Sequence, residues 1–377
     1  MDDDLGSEIE QLIYEKYNAL KCGGKPQSHE WTVLAGIVEE RGNTKKVIVL
    51  TTGTKCVGEH ALSSDGLIVN DCHAEILCRR CFIRYLLDHW NDDSLMEYDT
   101  MSRRYRVRPE VKYHLYISQS PCGLASEYQQ ENGKRLAAEI ANAKVRASKR
   151  RCLDHSVEEY DDAMHRTGAK YVEADTLQLS TKPGRGDRSR SYSCSDKLCM
   201  YNHLGYQGGL LSTVMEPVFM RSITISGHWD DPIMRRALFA RVDPDASSPL
   251  FFHRDAASPL SESEVMKQLD GRKLSASGSS LLWIAPNVSE TLIASKGVRL
   301  GTNVKKGITE KNRSLVSPSA LFAAFKEKCG EKCGEKCGKK TGETYWSTKQ
   351  RANDYQKKKS SLFPSWNRKD RALLSFQ

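Results

Sequence analysis

The chain lacks any apolar run approaching the roughly 18 residues that a membrane-spanning helix requires, so no membrane partner is expected. It also lacks a basic leader, because Met1-Asp2-Asp3-Asp4 is acidic where a secretory signal is positive. An intracellular protein is therefore expected, nuclear, cytoplasmic or both. Without an oxidising route, its 12 cysteines are expected as thiols or metal ligands and not as a disulfide framework. What is present is ordinary for a globular protein: 39% hydrophobic and 28% charged residues over 377 positions, enough to bury a sizeable core.

Charge is unevenly distributed. The net +9 is concentrated towards the C-terminus, where Leu321 to Gln377 carries 14 Lys and Arg against 6 Asp and Glu, while the first ten residues hold five acids. A basic stretch of this kind fits a nucleic-acid footprint, and equally a solvated basic face.

Apolar positions at helical spacing, Leu5, Ile9, Leu12, Ile13, Tyr17 and Leu20, predict an amphipathic first helix over 5–20. Strands are expected over 31–38 and 46–50 across the Arg41-Gly42-Asn43 turn, then a Gly/Thr loop over 51–56. The span 72–90 has no Gly or Pro and reads as the best helix, followed by a strand over 111–118. Helices are expected over 196–215 with glycine interruptions, 231–242, 318–328 and 344–363, and strands over 216–226 and 281–284, with a polar loop over 244–277 between. Two stretches read as insertions. One is the charged segment 127–165, and the other is 328–340, where Cys329, Cys333 and Cys337 recur in a Gly-containing four-residue repeat expected to be solvated. Strands alternating with helices argue for an α/β layered fold.

Chemistry concentrates at Asn70-Asp71-Cys72-His73-Ala74-Glu75. A His followed two residues later by a Glu at a helix start can deliver a metal ligand and a general acid/base to one cavity. With the later Pro121-Cys122-Gly123 it matches the H-x-E and P-C halves of the zinc deaminase signature. Catalytic zinc takes three protein ligands and keeps one position for water. The usual second cysteine of P-C-x-x-C is absent, since Ala125 stands there, so the third ligand must come from elsewhere. Cys194 in Ser193-Cys194-Ser195-Asp196-Lys197 is the obvious supplier, because a helix N-terminus favours a thiolate.

These motifs, with Lys182-Pro183-Gly184-Arg185-Gly186-Asp187-Arg188 between them, resemble the editase-type deaminase domain of the adenosine deaminases acting on RNA and their tRNA relatives. Gly24-Lys25-Pro26, His29-Glu30-Trp31-Thr32-Val33-Leu34 and Arg166-Thr167-Gly168-Ala169-Lys170 are most similar to the tRNA branch. The match begins within the first helix, with no double-stranded-RNA-binding domain expected before it. The resemblance implies an N-terminal helical segment over 1–23 and a deaminase domain over 24–377. The implied fold is α/β, a three-layer cytidine-deaminase-like sheet core with extra helices enclosing a polyanion site. The implied reaction is zinc-dependent hydrolytic conversion of adenosine to inosine, 3′ of the anticodon in alanine tRNA. His73, Cys122 and Cys194 would hold Zn²⁺, Glu75 would move the protons, and Thr54 and Lys55 would face the substrate. Inositol hexakisphosphate is the implied polyanion, held by Arg79, Arg80, Lys197, Tyr345, Lys349, Tyr355, Lys359, Trp366 and Lys369. Asp71 and Lys170, with Lys197, would form a polar relay from that site to the zinc water. The chain departs from the pattern at Leu124, where this branch has an acid, and at Cys199-Met200-Tyr201, which replaces Ala-Arg-Trp and removes one phosphate contact.

Overall fold

The structure, a computed structural model, describes residues 2–126, 179–182, 187, 189–243, 247–269, 271–333, 343–366 and 371–377. The expected insertion over 127–165, Lys170 and Lys369 lie outside these residues.

In chain order, helix α1 (Asp2–Ala19) leads to strands β1 (Glu30–Trp31), β2 (Leu34–Arg41), β3 (Thr44–Thr52), β4 (Thr54–Cys56) and β5 (Asp71–His73). Helix α2 (Ala74–Asp88) and strands β6 (Met96–Asp99), β7 (Arg104–Val107) and β8 (Val111–Ile117) follow. Then come α3 (Cys194–Leu204), α4 (Gly208–Leu211), β9 (Ser222–Ser226), α5 (Asp231–Arg235), β10 (Leu250–Arg254) and α6 (Glu262–Lys267). Strands β11 (Ser275–Ala276), β12 (Ser279–Ile284), β13 (Val288–Ile293) and β14 (Val298–Arg299) and helices α7 (Pro318–Cys333), α8 (Tyr345–Gln350) and α9 (Asn353–Leu362) complete the order.

Eight strands form one mixed sheet in the order β10-β9-β8-β2-β3-β12-β13-β14. β10, β9 and β8 run parallel, and every pairing beyond β8 is antiparallel. Period-two alternation sorts strand residues onto two covered faces. Leu34, Val38, Tyr116, Leu281 and Trp283 meet Ile9, Ile13 and Tyr17 of α1. Ala35, Ile37, Leu115, Ile117, Leu282 and Ile284 meet the α2 side. A bulge between Ile37 and Val38 leaves Ile48 of β3 outside the ladder, and its carbonyl accepts from Ala285 N instead. Eleven of the 15 residues of α2 are buried, so this helix is enclosed nearly all round and its N-terminus opens into the interior.

Several expectations need correction. Residues 51–56 are not a loop: β3 runs to Thr52 and β4 pairs antiparallel with β5. The expected polar loop over 244–277 contains β10, α6 and β11, because Leu250, Phe251 and Phe252 continue the parallel edge of the sheet. The single helix expected over 344–363 is two, α8 and α9, parted at Arg351 and Ala352. Helix α7, expected to end near Lys328, runs on to Cys333, into the repeat.

Candidate metal centre and active site

Three chain segments distant in sequence bring one imidazole and two sulfurs together. His73 ends β5 and is the N-cap of α2, one residue outside the helix where it was expected. Cys122 lies in the loop after β8, and Cys194 opens α3 behind its N-cap Ser193. His73 Nδ1 is 3.9 Å from Cys122 Sγ and 3.5 Å from Cys194 Sγ, and the three donor atoms all lie within 4.8 Å of one another. Tetrahedral Zn²⁺ bonds of about 2.3 Å to sulfur and about 2.0 Å to nitrogen require sulfur–nitrogen separations of about 3.5 Å. The cluster is therefore compatible in spacing and donor type with zinc.

The local sequence explains how the sulfurs are held. Gly123 has φ 97°, and a Cβ there would sit 2.4 Å from Ser193 Oγ, so only glycine lets the Cys122 loop lie against the start of α3. Cys194 N donates to Cys122 Sγ at 3.4 Å, and Ser195 N donates to Cys122 O at 3.0 Å. Asp196 accepts from Ser193 Oγ at 2.6 Å, Ser180 N at 2.9 Å and Arg241 Nη2 at 2.6 Å, fastening this N-terminus to two other segments. Hydrogen bonding from Cys194, with Lys182 and His73 nearby, overcomes burial and holds the Cys122 thiol well below its usual value. Burial pushes the partner thiol of Cys194 up, a cost that a cation bound between the two sulfurs would offset.

Glu75, in the first turn of α2, is buried, and its Oε2 has no hydrogen-bond partner among the described residues. Glu75 follows the N-cap His73 by two residues, on the end of α2 that carries the cluster. A lone buried carboxylate oxygen is costly unless something polar meets it. Thr54 stands directly across the β4–β5 ladder from His73, and its Oγ1 is likewise buried without a partner among the described residues. Lys55 is the next residue along the same rim, opposite Cys72.

Behind the cluster lies a buried ion network. Asp71 accepts from Lys182 Nζ at 2.9 and 2.7 Å, from Ser191 Oγ at 2.7 Å, from Lys197 Nζ, and from His73 N at 3.1 Å. Burial alone would raise the Asp71 carboxyl, but Lys182 and Lys197 outweigh it and hold it well below the carboxylate range. Burial would lower the Lys182 ammonium, and Asp71 more than reverses that. Of the residues expected in the relay, Asp71 and Lys197 are in contact, and Lys170 lies outside the described residues. Lys182 is the residue that sequence reasoning missed: it appeared only as part of a Gly/Pro-rich loop, and nothing in its spacing points back to Asp71.

A second constellation gathers most of the expected polyanion ligands. Arg79 lies 4.1 Å over the Tyr201 ring and donates to Tyr206 O at 3.0 Å, while Arg80 Nε donates to Val316 O at 2.7 Å. Lys349 is 4.9 Å from the Tyr345 ring centroid, and Lys359 is 5.5 Å from that of Trp366. Gly208, at φ 69°, leaves room for Arg79, whose Nη2 would be 2.1 Å from a Cβ there. No carboxylate pairs with Arg79, Arg80 or Lys349 among the described residues. Burial would raise the Tyr345 phenol, yet Lys349, Arg80 and Arg79 lower it, which marks an excess of positive charge. Lys197 sits on the Asp71 network, and Trp366 stacks on Tyr192, the neighbour of Ser191, so the two constellations adjoin.

Comparison with known proteins places this geometry. The family model described as Adenosine-deaminase (editase) domain matches residues 49–370. The chain is 32% identical to the tRNA-specific adenosine deaminase 1 of Drosophila melanogaster, over 98% of this chain and 96% of that protein. It is 27% identical to the Homo sapiens protein of the same name, over 96% and 97% of the two. Similarity to the double-stranded RNA-specific editase B2 of Mus musculus is 31% identity, over 70% of this chain and 36% of that protein.

Proposed function

The chain belongs to the adenosine-deaminase (editase) domain family, and from that premise we propose that it hydrolyses adenosine to inosine in tRNA, at the base 3′ of the anticodon in an alanine tRNA. The observation that carries the reading is the His73–Cys122–Cys194 cluster with the unpartnered Glu75 Oε2 beside it. The tRNA substrate is supported by the extent of the likeness. The tRNA-specific relatives align nearly end to end with this chain, whereas the double-stranded-RNA editase aligns over only a third of its length.

In this reading His73 Nδ1, Cys122 Sγ and Cys194 Sγ would hold Zn²⁺. A zinc ion bound there would supply an activated water, with a pKa lowered towards 7. Glu75 Oε2 would take one proton from the attacking water and pass it to the purine ring nitrogen, and would then carry the remaining hydroxyl proton to the amino group, which departs as ammonia. Thr54 and Lys55 line the rim through which the base enters. An anticodon loop is already single-stranded, so extruding one base costs little. Asp71, with Lys182 and Lys197, holds the His73 end of β5 from behind.

The uncompensated cations Arg79, Arg80 and Lys349, with Lys197, Tyr345, Tyr355, Lys359 and Trp366, would hold a polyphosphate, inositol hexakisphosphate in this reading; Lys369, expected in the same set, lies outside the described residues. Buried cations without an anion each cost several kcal/mol, and a polyphosphate removes that cost. Helix α1 on one face of the sheet and α2 on the other support a three-layer deaminase architecture, with α7 to α9 as the added helices.

The test is to incubate the purified protein with alanine tRNA and map inosine. Conversion 3′ of the anticodon is expected, and Glu75→Ala should cut the rate by about 10²–10⁴-fold while zinc content is retained. Conversion elsewhere in the tRNA, or full activity in Glu75→Ala, overturns the assignment.

A further inference from the structure

A predominantly basic platform lies beside the active-site rim and takes no part in the chemistry above. Arg299 in β14 and Lys305, Lys306 and Lys311 beyond it are all exposed. Among the described residues only Arg299 of these four has a carboxylate partner, Glu290 at 3.1 Å. The nearby Glu310 is turned to Arg313 at 2.9 Å. Leu300, among them, is 55% exposed and adds an apolar spot to the platform.

Its position is fixed relative to the site. Val57, immediately after β4, is buried with Ile68 and Val298 in a small separate core, against which Val304 and Ile308 pack. Val69 N donates to Gly297 O at 2.9 Å, joining the segment that leads into Asp71 and His73 to the turn before β14. Thr54, opposite His73, is thus only three residues, about 10 Å of strand, from the core that carries the lysines.

We propose that this platform binds the sugar-phosphate backbone of a folded RNA on the side of the reacting adenosine away from the cavity, and so selects structured over unstructured substrates. The proposal rests on the RNA deaminase reading. Unpaired exposed cations continuous with a site that takes an RNA base fit phosphates better than an acidic protein, because the bound RNA must pass over this rim to place its base.

The test is the charge-reversed full-length variant Lys305→Glu/Lys306→Glu/Lys311→Glu, compared with wild type for binding of alanine tRNA across a salt series, with a thermal melt as fold control. The plot of log K against log salt should become shallower by about 2 to 3, for three lost phosphate contacts, and KM for tRNA should rise about tenfold. KM for a short single-stranded oligonucleotide carrying the same adenosine should rise far less. An unchanged salt slope on tRNA overturns the proposal, as does an unchanged slope with weakened binding to polyglutamate, which would assign the platform to an acidic protein. If wild type forms no inosine, the deaminase reading fails, while the slope comparison still decides the platform.

Discussion

At the residue scale the account turns on side chains whose partners are few and identifiable. His114, in β8, is 1% exposed, with Nδ1 2.7 Å from Ser222 Oγ, and burial lowers its imidazole pKa against the opposing pull of Glu40. Its folded pKa therefore lies below the unfolded value of about 6.5. As pH falls through that range the unfolded chain binds the proton first. Stability fully present above it is then lost, by at most about 1.4 kcal/mol per pH unit. His114→Asn should lessen the drop in urea midpoint between about pH 7.5 and about pH 5.5. An equal drop in the variant would place the acid sensitivity elsewhere. The clustering of His73, Cys122 and Cys194 was legible in the sequence because ligand type and local motif carry it. Lys182 was not, because its role comes from a contact with Asp71 across 111 residues that no local pattern encodes.

At the scale of elements, what positions the site is the stacking of two helix N-termini, α2 and α3, against the loop after β8. Motif and propensity predicted both starts to within a residue or two. The sheet edge was harder to see. β10 lies in a polar stretch, and its strand state is decided by parallel pairing with β9, a long-range effect. Helix α1 was visible through its periodicity and covers the opposite face of the sheet. Ile13, fully buried between Ile9 and Tyr17 and the strands beneath, is its central contact. Ile13→Ala should cost about 2–5 kcal/mol in chemical denaturation. A cost below about 1 kcal/mol would mean that α1 packs more loosely than described.

At the scale of the whole molecule, the C-terminal helices α7 to α9 bring the basic tail back over α2. The tail's charge alone left open a nucleic-acid footprint or a solvated face, and the structure instead turns part of it inward around Tyr345. If a polyphosphate fills that space, it binds the folded state only and adds RT ln(1 + [L]/Kd) to stability. Acid-denatured protein should then release about one inositol phosphate per chain, and Lys349→Ala/Arg80→Ala should lower both that yield and the melting temperature. Phosphate-free wild type of full stability would refute the buried anion.

The claim on which the rest depends is that His73, Cys122 and Cys194 share one metal ion, and zinc K-edge X-ray absorption on the purified protein tests it most directly. The expected result is about one zinc per chain with two sulfurs at about 2.3 Å and one imidazole nitrogen at about 2.0 Å, one sulfur being lost in Cys194→Ser. A shell of nitrogen and oxygen alone, or a protein that neither carries zinc nor takes it up, would contradict it.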